Sequence, residues 1–217
     1  MTKTLRSYFE KKINVGLKKL INDDQYTFTW KYIFPNGKSE DECLEILTDL
    51  KKDNVDLCKL DALGKTLCHE MCVMGYLKVA VFLIEENNMD PNTQDKDRKW
   101  TCLFDAIKHN HLHVVKYLAS KEDTDINLIT EHGITPLKLA VEMGHFGIVK
   151  CLVQKGADVH FTKKHSITKY YVDQNENTIQ SVRDTTDGDY YTALEVAVEK
   201  NNLPIVKYLI KKLLIPC

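Results

Sequence analysis

The chain contains 217 residues, of which 43% are hydrophobic and 28% are charged. These fractions are close to average globular usage and exclude wholesale disorder and collagen-like repetition. Thirty Lys and Arg residues against 31 Asp and Glu residues give a net charge of −1. With this balance no global field attracts nucleic acid or an anionic membrane, and we expect neither as a partner.

The apolar runs are shorter than the roughly 18 residues that span a bilayer, and the beginning of the chain lacks the apolar core of a signal peptide. The seven cysteines are odd in number and irregularly spaced, which is typical of reduced thiols rather than of a disulfide framework. We therefore expect a soluble cytoplasmic protein, with the nucleus as the alternative compartment.

The first predicted element is an amphipathic helix over residues 3–21, within a first segment placed at residues 1–38. Its apolar residues follow helical spacing; they are Leu5, Tyr8, Phe9, Ile13, Leu17, Leu20 and Ile21. Lys11, Lys12, Lys18 and Lys19 surround this stripe. A basic amphipathic helix can lie on a membrane surface, and it can also cover the exposed end of a helical array. We favour the covering helix, with residues 22–38 as its connector.

A second helix is predicted in the segment 39–60. Ser39 followed by Glu42 has the spacing of a capping box, in which each residue bonds the backbone N–H of the other. Leu44 to Leu50 carry the apolar positions of this helix, and a turn at Asn54 to Asp56 closes the segment.

A pattern of two short helices then recurs four times, starting at Thr66, Thr101, Thr135 and Thr192, which are separated by 35, 34 and 57 residues. Each threonine is suited to cap the first helix, and Pro136 suits a first helical turn, where the missing N–H costs nothing. The second helices carry apolar stripes, which read V-A-V-F-L, V-V-K-Y-L, I-V-K-C-L and I-V-K-Y-L.

The positions between these elements support the same interpretation. Ala106, Ala140 and Ala197 fall where the two helices must approach closely, and Met71 is the exception. The inter-helix turn needs a left-handed residue, which Gly and Asn tolerate; the residues there are Gly75, Asn110, Gly144 and Asn201.

These features resemble the ankyrin repeat family over residues 61–160 and 187–217, and the stretch from Gly133 to His160 is nearly a consensus copy. The departures are Leu67-Cys68 for Pro-Leu, Phe104 and Glu195 for the usual His, and Lys99 for Gly. The resemblance implies an all-α solenoid of stacked helix-turn-helix units with short β-hairpin fingers. It places repeats at 61–94, 95–128, 129–160 and 187–217, preceded by a degenerate repeat at 39–60.

An insertion over residues 161–186 interrupts the repeats. Strand-forming residues flank the polar cluster Asp173 to Asn177; they are Ile167, Tyr170, Tyr171 and Val172 before it and Thr178, Ile179 and Val182 after it. The pattern predicts an extended β-hairpin that takes part in binding, and a loop without a role is the alternative.

The last residues, 210–217, are largely apolar and no polar capping unit follows them. Either the last helix is modified to act as the cap, which we favour, or a partner or a second copy covers this end. We expect a monomer, with self-association through the apolar end as the alternative.

Motifs for phosphate binding, nucleophilic catalysis or a kinase site are missing from the sequence, so we expect no enzyme and no cofactor. The best metal-like cluster is Cys68, His69 and Cys72, but core packing explains these residues better than a metal does. His109, His111 and His113 are expected to diverge across the turn at Asn110. Cys43, Cys102 and Cys151 are interpreted as small apolar core residues.

The resemblance further implies a protein partner of unknown identity, held by a concave surface of finger tips and first helices. The candidate contact residues, including those of the insertion, are Leu63, Lys65, Arg98, Trp100, Lys108, Glu131, His132, Ile134, Glu142, Tyr170, Tyr171, Asp189 and Tyr191. Trp100 and Tyr191 are expected to be exposed, although Trp100 could instead fold over its neighbouring finger. Two alternatives stay open: an inhibitory decoy that masks a transcription factor or signalling protein, and membrane targeting by residues 3–21.

Overall fold

The computed structural model describes residue 21 and residues 38–161, 168–172, 179–183 and 192–213. The predicted covering helix over residues 3–21, and with it the membrane alternative, lies outside these residues except for Ile21. Ile21 is helical and fully buried, and its carbonyl accepts a hydrogen bond of 2.6 Å from Lys59 Nζ. The chain divides into two compact units, residues 1–105 and 106–217.

The first compact unit is built from short helices. They are α1 (Glu40–Lys52), α2 (Leu67–Met74) and α3 (Leu77–Val81), with α3 continuing as a π-helical turn (Phe82–Glu86), and α4 (Cys102–Lys108) begins in this unit. Helix α1 packs against α3 and buries Cys43, Leu47 and Leu50 completely. The predicted capping box of α1 is confirmed, because Ser39 Oγ accepts the Glu42 N–H at 3.2 Å and Glu42 Oε2 accepts the Ser39 N–H at 2.9 Å.

The second compact unit contains the remaining helices. They are α5 (Leu112–Leu118), α6 (Pro136–Glu142), α7 (Phe146–Gln154), α8 (Ala193–Glu199) and α9 (Leu203–Leu213). Helix α6 contacts both α7 and α8, α5 packs against α7, and α9 contacts α7 and α8. The all-α architecture is thus formed by helix pairs laid against one another. Among the described helices, none is both long and apolar enough to cross a membrane.

Two strands occupy part of the insertion. Strand β1 (Thr168–Val172) pairs antiparallel with β2 (Ile179–Arg183), so that Thr168 lies opposite Arg183 and Val172 opposite Ile179. Strand β2 also contacts helix α8. The turn predicted between the strands lies outside the described residues, as do residues 162–167 and 184–191, which include the end of the insertion and the start of the last repeat.

The left-handed turn between paired helices is confirmed at all four predicted positions. The backbone φ is +75° at Gly75, +58° at Asn110, +72° at Gly144 and +52° at Asn201. Ala106, Ala140 and Ala197 are fully buried, as is Met71. A larger side chain at these alanines would separate elements that pack in direct contact.

Two of the first helices, α6 and α8, begin with threonine side-chain caps, as the sequence pattern predicts. Thr135 Oγ1 accepts the Lys138 N–H at 3.1 Å, with Pro136 in the first helical turn. Thr192 Oγ1 accepts the Glu195 N–H at 3.1 Å, and the Glu195 carboxylate accepts the Thr192 N–H in return. Glu195 therefore preserves a reciprocal cap at the position where the repeat pattern usually has His.

One finger residue adopts a strained backbone. Gly64 and Gly133 have φ values of +73° and +71°, and Lys99, in the corresponding place of its own finger, has φ of +57°. A side chain with a Cβ atom disfavours this conformation, whereas glycine adopts it readily.

We predict that Lys99→Gly raises the free energy of unfolding by about 0.5–1 kcal/mol, because the left-handed strain exceeds the entropy that glycine gains in the unfolded chain. Urea denaturation measures the change. Lys99→Ala is the control, because it removes the charge and keeps the Cβ atom. Equal stability of the two variants would contradict the assignment of strain to this residue.

Candidate functional site

The candidate contact surface starts from three fingers that precede the first helices. We define them as the first finger (61–65), the second finger (95–100) and the third finger (130–134). One backbone hydrogen bond closes each of them: Asp61 N–H to Lys65 O at 3.0 Å, Asp95 N–H to Trp100 O at 2.9 Å, and Thr130 N–H to Ile134 O at 3.0 Å. Within the first and third fingers a second backbone bond joins Gly64 N–H to Asp61 O and Gly133 N–H to Thr130 O, each at 2.9 Å. The predicted β-hairpins are thus short turns, and the second finger holds one extra residue.

Aspartate side chains fix the backbone of the first two fingers. Asp61 Oδ1 accepts the N–H groups of Leu63 and Lys65, each at 2.9 Å. Asp95 Oδ1 accepts the N–H of Arg98 at 2.8 Å and that of Trp100 at 3.2 Å. These bonds satisfy amides that a longer strand ladder would otherwise pair, so the finger tips are held without strands.

The first and second fingers also bond each other. The Lys96 N–H donates to the Leu63 carbonyl at 2.9 Å. A Cβ atom added to Gly64 would lie 2.6 Å from Lys96 Cγ, so glycine permits the close approach. Leu63 remains 48% exposed beside this contact, and Leu60 is 47% exposed. The two fingers therefore present one continuous edge with apolar side chains facing solvent.

Trp100 is half-buried rather than exposed. Its ring stacks on the fully buried ring of Phe104, with 5.8 Å between centroids and 25° between planes. The Arg98 guanidinium lies 5.1 Å from the centre of the Trp100 ring, a cation–π arrangement. The Phe104 substitution for the usual His supplies the aromatic ring on which Trp100 rests.

Lys65 belongs to a buried ion cluster instead of an open contact surface. Its side chain is 19% exposed, and Nζ lies 3.8 Å from Asp105 Oδ2 and 3.9 Å from Glu70 Oε1. Burial raises the pKa of the Asp105 carboxyl to about 6, although Lys65 opposes the shift. The sequence signal that we missed is the register: Glu70 and Asp105 align with Leu139 and Val196 of the other repeats.

The candidate residues of the second compact unit are mostly exposed. Ile134 is half-buried, and the exposed ones are Lys108, Glu131, His132 and Glu142. The backbones of Tyr170 and Tyr171 lie in β1, whereas Asp189 and Tyr191 lie outside the described residues. Met143, 43% exposed, adds an apolar side chain next to Glu142.

The three histidines do not diverge, which corrects the sequence prediction. The ring centroids of His109 and His111 are 6.2 Å apart, and those of His111 and His113 are 5.9 Å apart. The tight left-handed turn at Asn110 brings the rings together on the surface. Among the described residues, however, the one group whose potential metal-ligand atoms all lie within 4.8 Å of one another consists of three cysteines.

That cysteine group differs from the one considered from the sequence. It contains Cys68, Cys72 and Cys102, all buried, and the Sγ atoms of Cys68 and Cys72 are 3.9 Å apart. His69 is not a member, because its Nδ1 accepts the Thr66 N–H at 3.1 Å and its Nε2 lies 3.1 Å from the Trp100 carbonyl. His69 therefore bonds the backbone at the start of its own helix and at the end of the second finger.

Hydrogen bonding distinguishes the three thiols. Bonds from the thiols of Cys102 and Cys72 lower the pKa of Cys68 to about 5, against the effect of burial. The pKa of Cys72 is raised by its bonds with Cys102 and Cys68, and that of Cys102 is raised by its bond with Cys68; burial adds to both rises.

Asp105 makes stability depend on pH. Because its pKa rises from 3.8 to about 6 on folding, its contribution to stability is fully present below pH 3.8 and is lost as the pH rises through 6. Asn resembles the protonated carboxyl at every pH. We predict that the stability gained by Asp105→Asn over the natural chain is about 1 kcal/mol larger at pH 7.5 than at pH 5.

Urea titrations at the two pH values measure this difference. Asp97→Asn is the matched control, because the Asp97 side chain is 75% exposed and should give no pH-dependent gain. A gain from Asp105→Asn that is the same at both pH values would show that the carboxyl is not perturbed.

Comparison with known proteins agrees with this architecture. Residues 87–163 match the family described as "Ankyrin repeats (3 copies)". The chain is 29% identical over 153 residues to ankyrin repeat and SAM domain-containing protein 6 of Mus musculus, which covers 70% of this chain and 15% of that protein. It is 26% identical over 129 residues to SMC5-SMC6 complex localization factor protein 1 of Bos taurus. This match covers 59% of this chain and 12% of that protein.

A viral protein gives a shorter match of higher identity. An ankyrin repeat protein of Acanthamoeba polyphaga mimivirus is 38% identical over 74 residues, which covers 34% of this chain and 36% of that protein. Thus the chain spans well under half the length of each of these three relatives. Ankyrin repeats are protein-interaction modules and are generally non-catalytic. The helix pairs, their turns and these similarities together show that residues 87–163 are ankyrin repeats and that a larger part of the chain is similar to ankyrin repeat proteins.

Proposed function

We propose that the chain binds a partner protein, without catalysing a reaction, through the edge formed by the first and second fingers. The observation that carries this proposal is the Arg98 guanidinium over the Trp100 ring, 5.1 Å from its centre, on a finger that is bonded to the exposed Leu63. Arginine and tryptophan are the residue types that most often dominate binding energy at protein interfaces.

The backbone of this edge is already ordered before binding. Asp61 and Asp95 hold the finger amides, and Trp100 is fixed on the ring of Phe104. A surface held in this way loses little conformational entropy when a partner arrives, which improves affinity. The apolar Leu63 and the charged Arg98 are among the exposed side chains that remain for the partner.

These groups define the chemistry of the partner. Leu63 offers apolar area to an apolar side chain, and the second finger presents three exposed basic residues, Lys96, Arg98 and Lys99, against one acidic residue, Asp97. We expect a partner segment that combines an apolar side chain with carboxylates.

The second compact unit carries candidate contact residues of its own. The exposed candidates there are Lys108, Glu131, His132 and Glu142, and Ile134 is a half-buried apolar candidate. The insertion would add Tyr170 and Tyr171, and the last repeat would add Asp189 and Tyr191. The role of these residues rests on the family resemblance, whereas that of Leu63, Arg98 and Trp100 also rests on the finger geometry.

We predict that Leu63→Ala and Arg98→Ala each weaken partner binding about tenfold or more, because each removes a pre-positioned contact group. A photo-crosslinking amino acid at position 63 would first identify the partner in an extract, and calorimetry with the purified partner would then give the dissociation constants. Both residues are exposed, so the melting temperature should not change.

Lys155→Ala is the control, because this exposed lysine follows α7, away from the fingers in the repeat pattern. Its dissociation constant should equal that of the natural chain. Unchanged affinity in both finger variants would refute the assignment of the contact surface.

A further inference from the structure

Three sulfur atoms converge in the interior of the first compact unit. Cys68 and Cys72 lie one turn apart on α2, and Cys102 is the first residue of α4. Their exposed fractions are 0%, 0% and 1%, and the three Sγ atoms all lie within 4.8 Å of one another. Two sequence-distant elements thus bring three thiols to one point that solvent does not reach.

The polar groups around the thiols already have other partners. Both His69 ring nitrogens lie at hydrogen-bond distance from backbone groups, the Thr66 N–H and the Trp100 carbonyl. The Cys102 thiol donates to the Pro91 carbonyl at 3.4 Å. In the part of the chain that the structure describes, a fourth His, Cys, Asp or Glu does not join the group within 4.8 Å.

The spacing of the sulfurs suits a single metal ion. Metal–sulfur bonds of about 2.3 Å in a plane of three ligands separate the sulfurs by about 4.0 Å. Cys68 and Cys72 are already 3.9 Å apart, and a shift of less than 1 Å brings the third sulfur into the same spacing. Thiolates prefer soft ions such as Cu(I) and Zn(II).

The number of ligands then selects between these ions. Structural zinc sites are almost always tetrahedral, with four protein ligands, and three-ligand zinc sites keep a water in the fourth position. Three buried sulfurs that solvent does not reach provide neither a fourth protein ligand nor a water molecule. Cu(I), a monovalent ion with a filled d shell, is stable with three sulfur ligands. We propose that Cys68, Cys72 and Cys102 form a three-sulfur binding site for Cu(I).

Binding is a ligand exchange without a redox step. The ion enters as Cu(I) and leaves a weaker carrier. Each coordinating sulfur that still carries a proton releases it to the buffer, and copper–sulfur bonds replace the thiol hydrogen bonds. Because the site lies inside the first compact unit, a bound ion stabilises the folded state by linkage.

The repeats themselves supply variants that remove sulfur and preserve packing. Val141 and Val198 occupy the place of Cys72, and Ala193 occupies the place of Cys102. Cys72→Val and Cys102→Ala therefore introduce side chains that this architecture accepts at those positions. Cys43→Ala and Cys151→Ala are the controls, because both cysteines are buried outside the cluster.

The experiment adds the reduced full chain, with a non-thiol reductant and without oxygen, to the coloured Cu(I)–bicinchoninate complex and follows the loss of colour. We expect the natural chain to take up one Cu(I) from the dye. Cys72→Val and Cys102→Ala should each reduce the amount of Cu(I) transferred at least tenfold, and both controls should leave it unchanged. Circular dichroism confirms that each variant is folded. The natural chain should also melt at a higher temperature with Cu(I), and the two cluster variants should not.

Two results would overturn the proposal. One is the absence of transfer from the dye to the folded natural chain, or transfer that the control variants reduce as much as the cluster variants do. The other is preferential binding of Zn(II) in a parallel competition with a zinc dye, since a fourth ligand would then be present.

Discussion

The constraint on which the whole structure depends is that a single pair of short helices cannot hide its apolar side from water. Helix α6 buries Leu137, Ala140 and Val141 because α7 lies on one side and α8 on another. The burial is complete enough that Ala140 and Ala197 have no exposed surface. Each helix pair therefore gains stability from its neighbours, as in other stacked repeats, and the sequence must keep the same register along the chain.

The fingers take their form from this register. Since the helices fix where each finger begins and ends, a few hydrogen bonds suffice to order the loop, and Asp61 and Asp95 provide them. The same position can then serve different purposes in successive fingers. Lys65 turns inward to Glu70 and Asp105, whereas Trp100, in the corresponding place, packs on Phe104 and carries Arg98 on its outer side.

Features that depend on a local backbone conformation could be predicted from the sequence. The turn residues from Gly75 to Asn201, the caps at Ser39 and Thr192, and the buried alanines each follow from the requirements of one helix end or one helix contact. Glu195 shows that even a departure from the usual residue can satisfy the same backbone group.

Features that depend on pairs of side chains distant in sequence could not be predicted. Trp100 is half-buried because Phe104 replaces a His, and neither residue alone reveals the stacking. The helical spacing of Cys68 and Cys72 was visible, but Cys102 joins them only when α4 is placed against α2. Of the candidate contact residues, Leu63 and Arg98 are exposed, Trp100 is half-buried on Phe104, and Lys65 lies in the ion cluster with Glu70 and Asp105.

Amide hydrogen exchange tests the mutual dependence of the helix pairs most directly. The full chain is compared with a chain that ends at residue 186, which removes α8 and α9 and uncovers the faces of α6 and α7. The account predicts that exchange in α6 and α7 becomes about tenfold faster or more, because their buried side chains meet water. Protection of α6 and α7 equal to that in the full chain would contradict it.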